Sequence, residues 1–360
     1  MARGMVTAGQ MPRSAPPPEI DPATGRAIVT SFDVAAAAGV SQSTVSRALR
    51  NLDSVSAETR ERVLEAAAQL GYLPDLRAAR LRQATTGCIA LVLIVPAGLD
   101  RAALNPFYYD LVAAIEAAAA AGGRRILLSF QDEEAGFDAE FEQRREADGM
   151  IVVGSATNTA GWAHFTRAAA QGRRVVAWGS PHDELPTVRA DNRDGARQAV
   201  EHLFARGRRR IAFVGPGWER HAAYAERREG YLAALAERGL EPIDLSGASV
   251  GEREEQGAAA IAGLIDMLPR ADALFAASDL VALGALRALR ASGLRVPDDV
   301  AVVGFDGIQG VRHCDPALTT VAQNAPAAGR ALVEALLRNI AGAPAASARV
   351  PVALVVRAST

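Results

Sequence analysis

The sequence predicts a small all-helical module followed by an α/β core of two doubly wound, parallel-sheet subdomains. Three observations carry that prediction. Residues 27–73 hold three short segments of helical spacing with capping residues at their ends. From residue 87 onward, short β-rich apolar runs alternate with Ala/Leu/Glu/Arg stretches of helical spacing. Continuous apolar strands between helices mark a parallel sheet covered on both faces. These units are too many for one small sheet, and TVRADNRDGARQAVEHLFARG (187–207) opens a second series after about 100 residues of the first.

Taken in order, residues 1–26 are rich in Pro, Gly and small residues, lack periodicity and read as a disordered leader. SFDVAAAAGVSQSTVSRAL (31–49) reads as two short helices and a tight turn. Phe32, Val34 and Ala35 are expected to face inward, and Gly39 supplies the left-handed residue of the turn. Ser41 caps the next helix, and Val45 and Leu49 lie on its buried face. That leaves Gln42, Ser43, Ser46 and Arg47 on exposed faces near the helix start, where a recognition helix presents itself to a major groove. A third helix runs from Ala57 to Leu70, capped by Ser56 and ended by Gly71. PDLRAARLR (74–82) makes about two helical turns, too few for an isolated helix, so the 74–86 linker should fold only against a partner.

The strands follow as IALVLIVP (89–96), RILLSF (125–130), GMIVVG (149–154), RVVAWG (174–179), RIAFVG (210–215), ALFAAS (273–278) and VAVVGFD (300–306). The first subdomain is expected over about 87–189 with a return at 320–345, and the second over about 190–319 with 346–360. No phosphate-cradling glycine motif sits at a strand-to-helix turn.

Composition narrows the function classes. The 360 residues are 49% hydrophobic and 22% charged, which fits packed cores. No apolar run reaches the ~18 residues of a membrane span, and the first residues lack a signal-peptide apolar region. Cys88 and Cys314 form neither a disulfide framework nor a metal motif. A cytoplasmic protein without metal or cofactor is expected. The five histidines lie in no metal or nucleophile spacing, so no enzyme is expected. The net charge of −2 taken alone argues against a nucleic-acid partner. Its distribution is uneven: residues 1–86 hold 10 Arg against 8 acids, and residues 87–360 hold 29 against 33. Every basic residue is Arg, which a GC-rich coding bias explains.

The strings DVAAAAGVSQSTVSRALRN (33–51) and VSAETRERVLEAAAQLGYLPDLRAARLR (55–82) resemble the DNA-binding headpiece of the lactose-repressor (LacI/galactose-repressor) family nearly residue by residue. The resemblance implies that Gln42 and Ser43 choose bases and that Arg47 reads a base edge. Ser41, Ser46 and Arg50 complete the candidates on this surface, although Arg50 stands where Asn is frequent. It also implies two hinge helices of a homodimer side by side in the minor groove. Leu81 matches the leucine wedged between base pairs, Arg82 a basic minor-groove position, and Ala78 the small residue where the helices approach. Asp75 replaces a common Asn, and an acid near phosphates weakens binding.

The resemblance continues through the core, which is also similar to periplasmic sugar-binding proteins. Its markers are NPFYYDLVAAIE (105–116), ADNRDGARQAVEHL (190–203), ERREGYLAAL (226–235), SDLVALGALRAL (278–289), VAVVGFDG (300–307) and PALTTVAQ (316–323). It implies a small molecule between the subdomains at the carboxyl ends of the strands. Phe107 and Tyr108 are candidates to stack on a ring, and Arg227 and Asp306 to grip hydroxyls or form a structural ion pair. Ser278 stands where Asn is frequent, Asp279 is equally a cap or a ligand contact, and Trp178 stacks on the ligand or, preferably, fills core. Ala225 and Glu252 depart from the pattern, and the acid points to a more polar or cationic ligand than a plain hexose. The implied protein is a homodimeric regulator, a repressor of a pseudo-palindromic double-stranded operator, controlled by a carbohydrate effector and paired through helices of the first subdomain. Activation or corepression, and a periplasmic solute-binding role, are the alternatives; the latter calls for a signal peptide and no headpiece.

Overall fold

The computed structural model describes residues 29–49, 51–72, 85–101, 104–154, 158–181, 184–215, 222–245, 258 and 271–360. The leader and the hinge segment 74–82, with Arg50, Asp75, Ala78, Leu81, Arg82 and Glu252, lie outside the described residues. The chain divides into two units, Met1–Gln83 and Ala84–Thr360.

Three helices make the described part of the first unit: α1 (Ser31–Ala38), α2 (Gln42–Leu49) and α3 (Ala57–Leu70). Asp33 accepts the backbone N–H and the hydroxyl of Thr30, both at 2.8 Å, which starts α1 and holds the carboxyl below its usual range. Gly39 ends α1 at φ 65°, a left-handed conformation that turns the chain into α2. Ser56 accepts the Thr59 N–H to cap α3, and Gly71 closes it. Val34, Ala35, Val45, Ala48, Val55, Val63, Ala66 and Ala67 form the core of this unit. Phe32 does not join them. It is 42% exposed, because at 100° per residue Val34, Ala35 and Ala38 share one face of α1 and Phe32 falls opposite Val34.

The second unit contains two six-stranded sheets with the same order of their first five strands. The first sheet holds β1 (Cys88–Ile94), β2 (Arg125–Gln131), β3 (Met150–Gly154), β4 (Val175–Trp178), β5 (Thr187–Ala190) and, from the far end of the chain, β11 (Ala348–Val350). Their order is β11-β5-β4-β3-β1-β2, all parallel. Helices α4 (Phe107–Ala121) and α5 (Thr159–Ala170) connect them. The second sheet holds β6 (Ile211–Val214), β7 (Ile243–Asp244), β8 (Ala273–Ala276), β9 (Ala301–Asp306), β10 (Thr319–Ala322) and β12 (Ala353–Val355), in the order β12-β10-β9-β8-β6-β7. Its helices include α6 (Asn192–Ala205), α7 (Ala222–Ala236) and α8 (Asp279–Ala291), and α9 (Ala325–Ile340) returns to pack on α4 and the first sheet. Strands such as β3, β4, β6 and β8 are buried along their whole length, which is why they read as unbroken apolar runs.

Two boundaries differ from the sequence reading. Residues 319–322 pair in parallel with β9 and so belong to the second sheet, and Ala348–Val350 pair with β5 in the first. The return to the first subdomain therefore spans α9 and β11, about 325–350, in place of 320–345. The last strand, β12, runs antiparallel to β10, so the second sheet is not wholly parallel. A chain that has just left β11 reaches the neighbouring sheet within two residues, with no helix to reverse its direction. The chain thus crosses between the subdomains three times, after β5, after β10 and after β11.

Candidate functional site

On the first unit, α2 presents the expected surface unevenly. Ser43 and Arg47 are exposed, whereas Gln42 and Ser46 are half-buried. Gln42 donates its amide to the Ser31 hydroxyl at 3.1 Å, which fixes its direction at the helix start. Ser41 caps α2 through the Thr44 N–H at 3.2 Å, and its hydroxyl bonds those of Ser43 and Thr44 at 2.9 and 2.8 Å. Val45 and Ala48 pin the opposite face of α2 into the core, so the polar face keeps a set orientation.

In the second unit a half-open cavity lies between the two subdomains, about 610 Å³ with the solvent at its mouth included. Its walls are the carboxyl ends of strands from both sheets, as the switch-point rule for doubly wound folds demands. Phe107, Tyr108, Trp178, Arg227 and Asp306 all line it. Phe107 stacks at 5.7 Å from Trp178 and 6.1 Å from Tyr108, so one wall is a continuous aromatic shelf. Trp178 is both core and lining: it is buried, and its ring still borders the space.

Arg227 and Asp306 face each other at 3.1 Å, each only 3% exposed. The guanidinium stacks 3.7 Å above the Phe305 ring, and its Nε donates to Asn192 at 2.9 Å. A further nitrogen donates to the Ala277 carbonyl. Asp306 also accepts the amides of Asn105, at 2.7 Å, and Gln323, at 2.8 Å. Asn105 comes from the first subdomain, ahead of α4, so this bond spans the cleft. The planar fork of an arginine and a carboxylate with several lone pairs place donors and acceptors side by side at the cavity.

Asp306 sits at φ 114°, a conformation that costs a non-glycine residue ~1–3 kcal/mol. Asp279 holds it there. The buried Asp279 carboxylate accepts the N–H of Gly307 at 2.7 Å, the N–H of Ile308 at 2.8 Å and the Thr320 hydroxyl at 2.6 Å. Gly307 is required at φ 76°, since a Cβ there would lie 2.6 Å from that of Ala322. Burial, reinforced by the nearby negative charge of Asp306, pushes the Asp279 carboxyl up to about 7.

Two of the candidate effector contacts, Ser278 and Asp279, the latter expected equally as a cap, are engaged elsewhere. Neither Ser278 nor Asp279 lines the cavity. Ser278 caps α8 by accepting the Val281 N–H, and Asp279 turns back into the protein to hold the loop behind Asp306. Conversely, Asn105, Arg189, Asn192, Tyr224 and Gln323 line the cavity and were not among the sequence candidates. Asn192 and Gln323 closely follow β5 and β10, two strands not among the expected apolar runs, and Asn105 lies just ahead of α4, so the sequence runs did not mark them. Among the described residues no three His, Cys, Asp or Glu side chains gather to hold a metal ion, and no helix is long and apolar enough to cross a membrane.

Residues 32–75 match the family described as bacterial regulatory proteins, lacI family, and residues 200–360 match the periplasmic binding protein-like domain. The HTH-type transcriptional regulator CelR of Thermobifida fusca is 36% identical over 317 residues, covering 86% of this chain and 91% of its own. The chain belongs to the LacI family. Among solved structures, a CelR–cellobiose complex superposes with a TM-score of 0.64 at 33% identity over 92% of this chain and all of that one. The lac repressor dimer bound to operator and the anti-inducer ONPF superposes with a TM-score of 0.74 at 28% identity, over 92% and 99% of the two chains. As a LacI-family member the protein is a DNA-binding transcriptional regulator and not an enzyme. Helices α2 and α3, and α1 from its second residue, fall within the span matched to the lacI family, and the cavity lining contributed by α7, β9 and Gln323 falls within the span matched to the periplasmic binding protein-like domain.

Proposed function

We propose that this LacI-family regulator is a cytoplasmic homodimeric repressor whose affinity for a pseudo-palindromic operator is set by a sugar or sugar derivative in the cavity. The observation that carries the reading is the buried Arg227–Asp306 pair, set among three amide side chains and facing an aromatic shelf. Polar groups that grip hydroxyls, opposite rings that cover the C–H face of a pyranose, form a site for a polyhydroxylated ring. The cellobiose in the CelR complex supports that class of ligand.

On the DNA side, Gln42, Ser43 and Arg47 carry base choice, Ser41, Ser46 and Arg50 complete the contact surface, and Ala78, Leu81 and Arg82 form the minor-groove hinge. The dimer bound to operator in the lac repressor structure supports binding of an operator by two copies of the chain. Exposed Tyr109 on α4, with Leu127 and Leu128 on edge strand β2, supplies an apolar surface for pairing the subunits.

A thermal-shift screen against sugars, polyols and sugar phosphates tests the effector class. A ligand at 100 times its Kd adds about 2.7 kcal/mol of stability. Stabilisation by non-carbohydrate ligands alone would overturn the carbohydrate assignment. Exchanging Gln42 and Ser43 should change base preference, and Leu81→Ser should weaken specific operator binding with ligand binding intact.

A further inference from the structure

Strands β5 and β11 place Arg189 and Arg349 directly opposite one another in register. Two like charges so placed repel. The carboxylate between them comes from the other subdomain: Glu226 of α7, itself buried. Its Oε1 accepts from Arg349 at 3.1 Å and from Arg189 and Arg193 at 3.4 Å, and its Oε2 accepts the Asn192 amide at 2.9 Å. Burial alone would push the Glu226 carboxyl up, but the bonds from Asn192 and Arg349 hold it below its ordinary value, so it stays charged.

We propose that Glu226 is the positioning residue of the cavity and the ionic latch that ties α7 of the second subdomain to β5 and β11 of the first. Because Asn192 gives its NH2 to Glu226, its oxygen is turned to receive Arg227, and Arg227 in turn faces Asp306. The relay Arg349–Glu226–Asn192–Arg227–Asp306–Asn105 begins on the first sheet, runs along the cavity wall and ends on the first subdomain again. An effector that exchanges hydrogen bonds with Arg227 or Asp306 thereby acts on the same network that fastens the subdomains together. The inference deepens the effector reading and takes the cavity from it; the latch itself is a contact between subdomains that exists without ligand.

The test uses the full chain with Cys88 and Cys314 replaced by Ser. Spin labels go on Gln171→Cys and Glu237→Cys, both exposed, one on each subdomain. Pulsed electron–electron resonance is recorded on labelled protein diluted in unlabelled protein, with neither effector nor DNA. Glu226→Gln keeps the shape and an acceptor for Asn192 but removes the charge, and Arg349→Met removes one cation at the half-exposed rim. Either should raise a second distance population above about a tenth of the molecules. Arg197→Gln, which loses two ion pairs within α6, should leave the distribution unchanged. Unchanged distributions in both latch variants, even with a lower Tm, would make Glu226 a structural residue only and overturn the proposal. If Glu226→Gln fails to fold, Arg349→Met decides alone. A failed sugar screen with shifted distances would sink the effector reading and leave the latch standing.

Discussion

The two functional surfaces of this protein obey opposite rules. On α2 the face proposed to read bases is exposed or half-exposed, its anchors are local, and Arg47 is exposed. In the cavity the polar groups are buried and already committed to one another, with Asp306 accepting from Arg227, Asn105 and Gln323. A surface that reads a polymer edge needs side chains that lose little on contact. A buried site avoids the cost of unpaired polar groups only by pairing them in advance, so its ligand must replace existing bonds one for one. Recognition by addition and recognition by exchange thus coexist in one chain.

The difference is sharpest at Arg227. Arg227→Met strands Asp306 in the core, and losing one partner of a buried pair costs about 3–5 kcal/mol. Thermal unfolding should register that loss together with the disappearance of any ligand-induced Tm shift. Arg47→Ala should leave the unfolding of the sensing unit unchanged and cost about 1–3 kcal/mol of specific operator binding, read from gel-shift titrations against operator and scrambled DNA. Equal losses on both DNAs would make Arg47 a phosphate contact and blur the contrast.

A third test concerns the acid behind the cavity. Asp279 is raised from an ordinary 3.8 to about 7, so the folded state binds its proton more tightly than the unfolded chain does. Its contribution to stability is therefore greatest at the acidic end of that window and falls as pH rises from about 4 to about 7. Asp279→Asn should flatten that slope in a Tm-against-pH series, and an unchanged slope would show that other groups produce it. The smallest effect belongs to the first unit: Phe32→Ser, on an exposed face, should change stability by no more than about 0.5 kcal/mol.

Legibility in the sequence followed the range of the interactions. The helices of the first unit were readable because Ser41, Ser56, Gly39 and Gly71 act within four residues of the ends they define. Phe32 differs because on a helix of eight residues angular position, not apolar character, decides which side chains reach the core. Phe107, Tyr108, Arg227 and Asp306 were legible as candidates through the family resemblance, while Trp178 was expected mainly in the core. The role of Asp279 was not legible, since its partners at 307 and 308 are brought to it by the pairing of β8 with β9, and Thr320 by that of β9 with β10. The same limit explains the shifted boundaries: which sheet a short strand joins at 319–322 or 348–350 is a matter of distant neighbours.

The three crossings between subdomains have a consequence for how the core assembles. Neither half is a contiguous stretch of chain, because β11 closes the edge of the first sheet only after β6–β10 of the second have been made. A ribosome that has released residues 84–190 has delivered a sheet still lacking α9 and its last strand. Native contacts of such sequence separation make folding slow and late. The halves should therefore melt in one calorimetric transition, and a fragment ending near residue 190 should expose the apolar flank of β4 and β5 and aggregate.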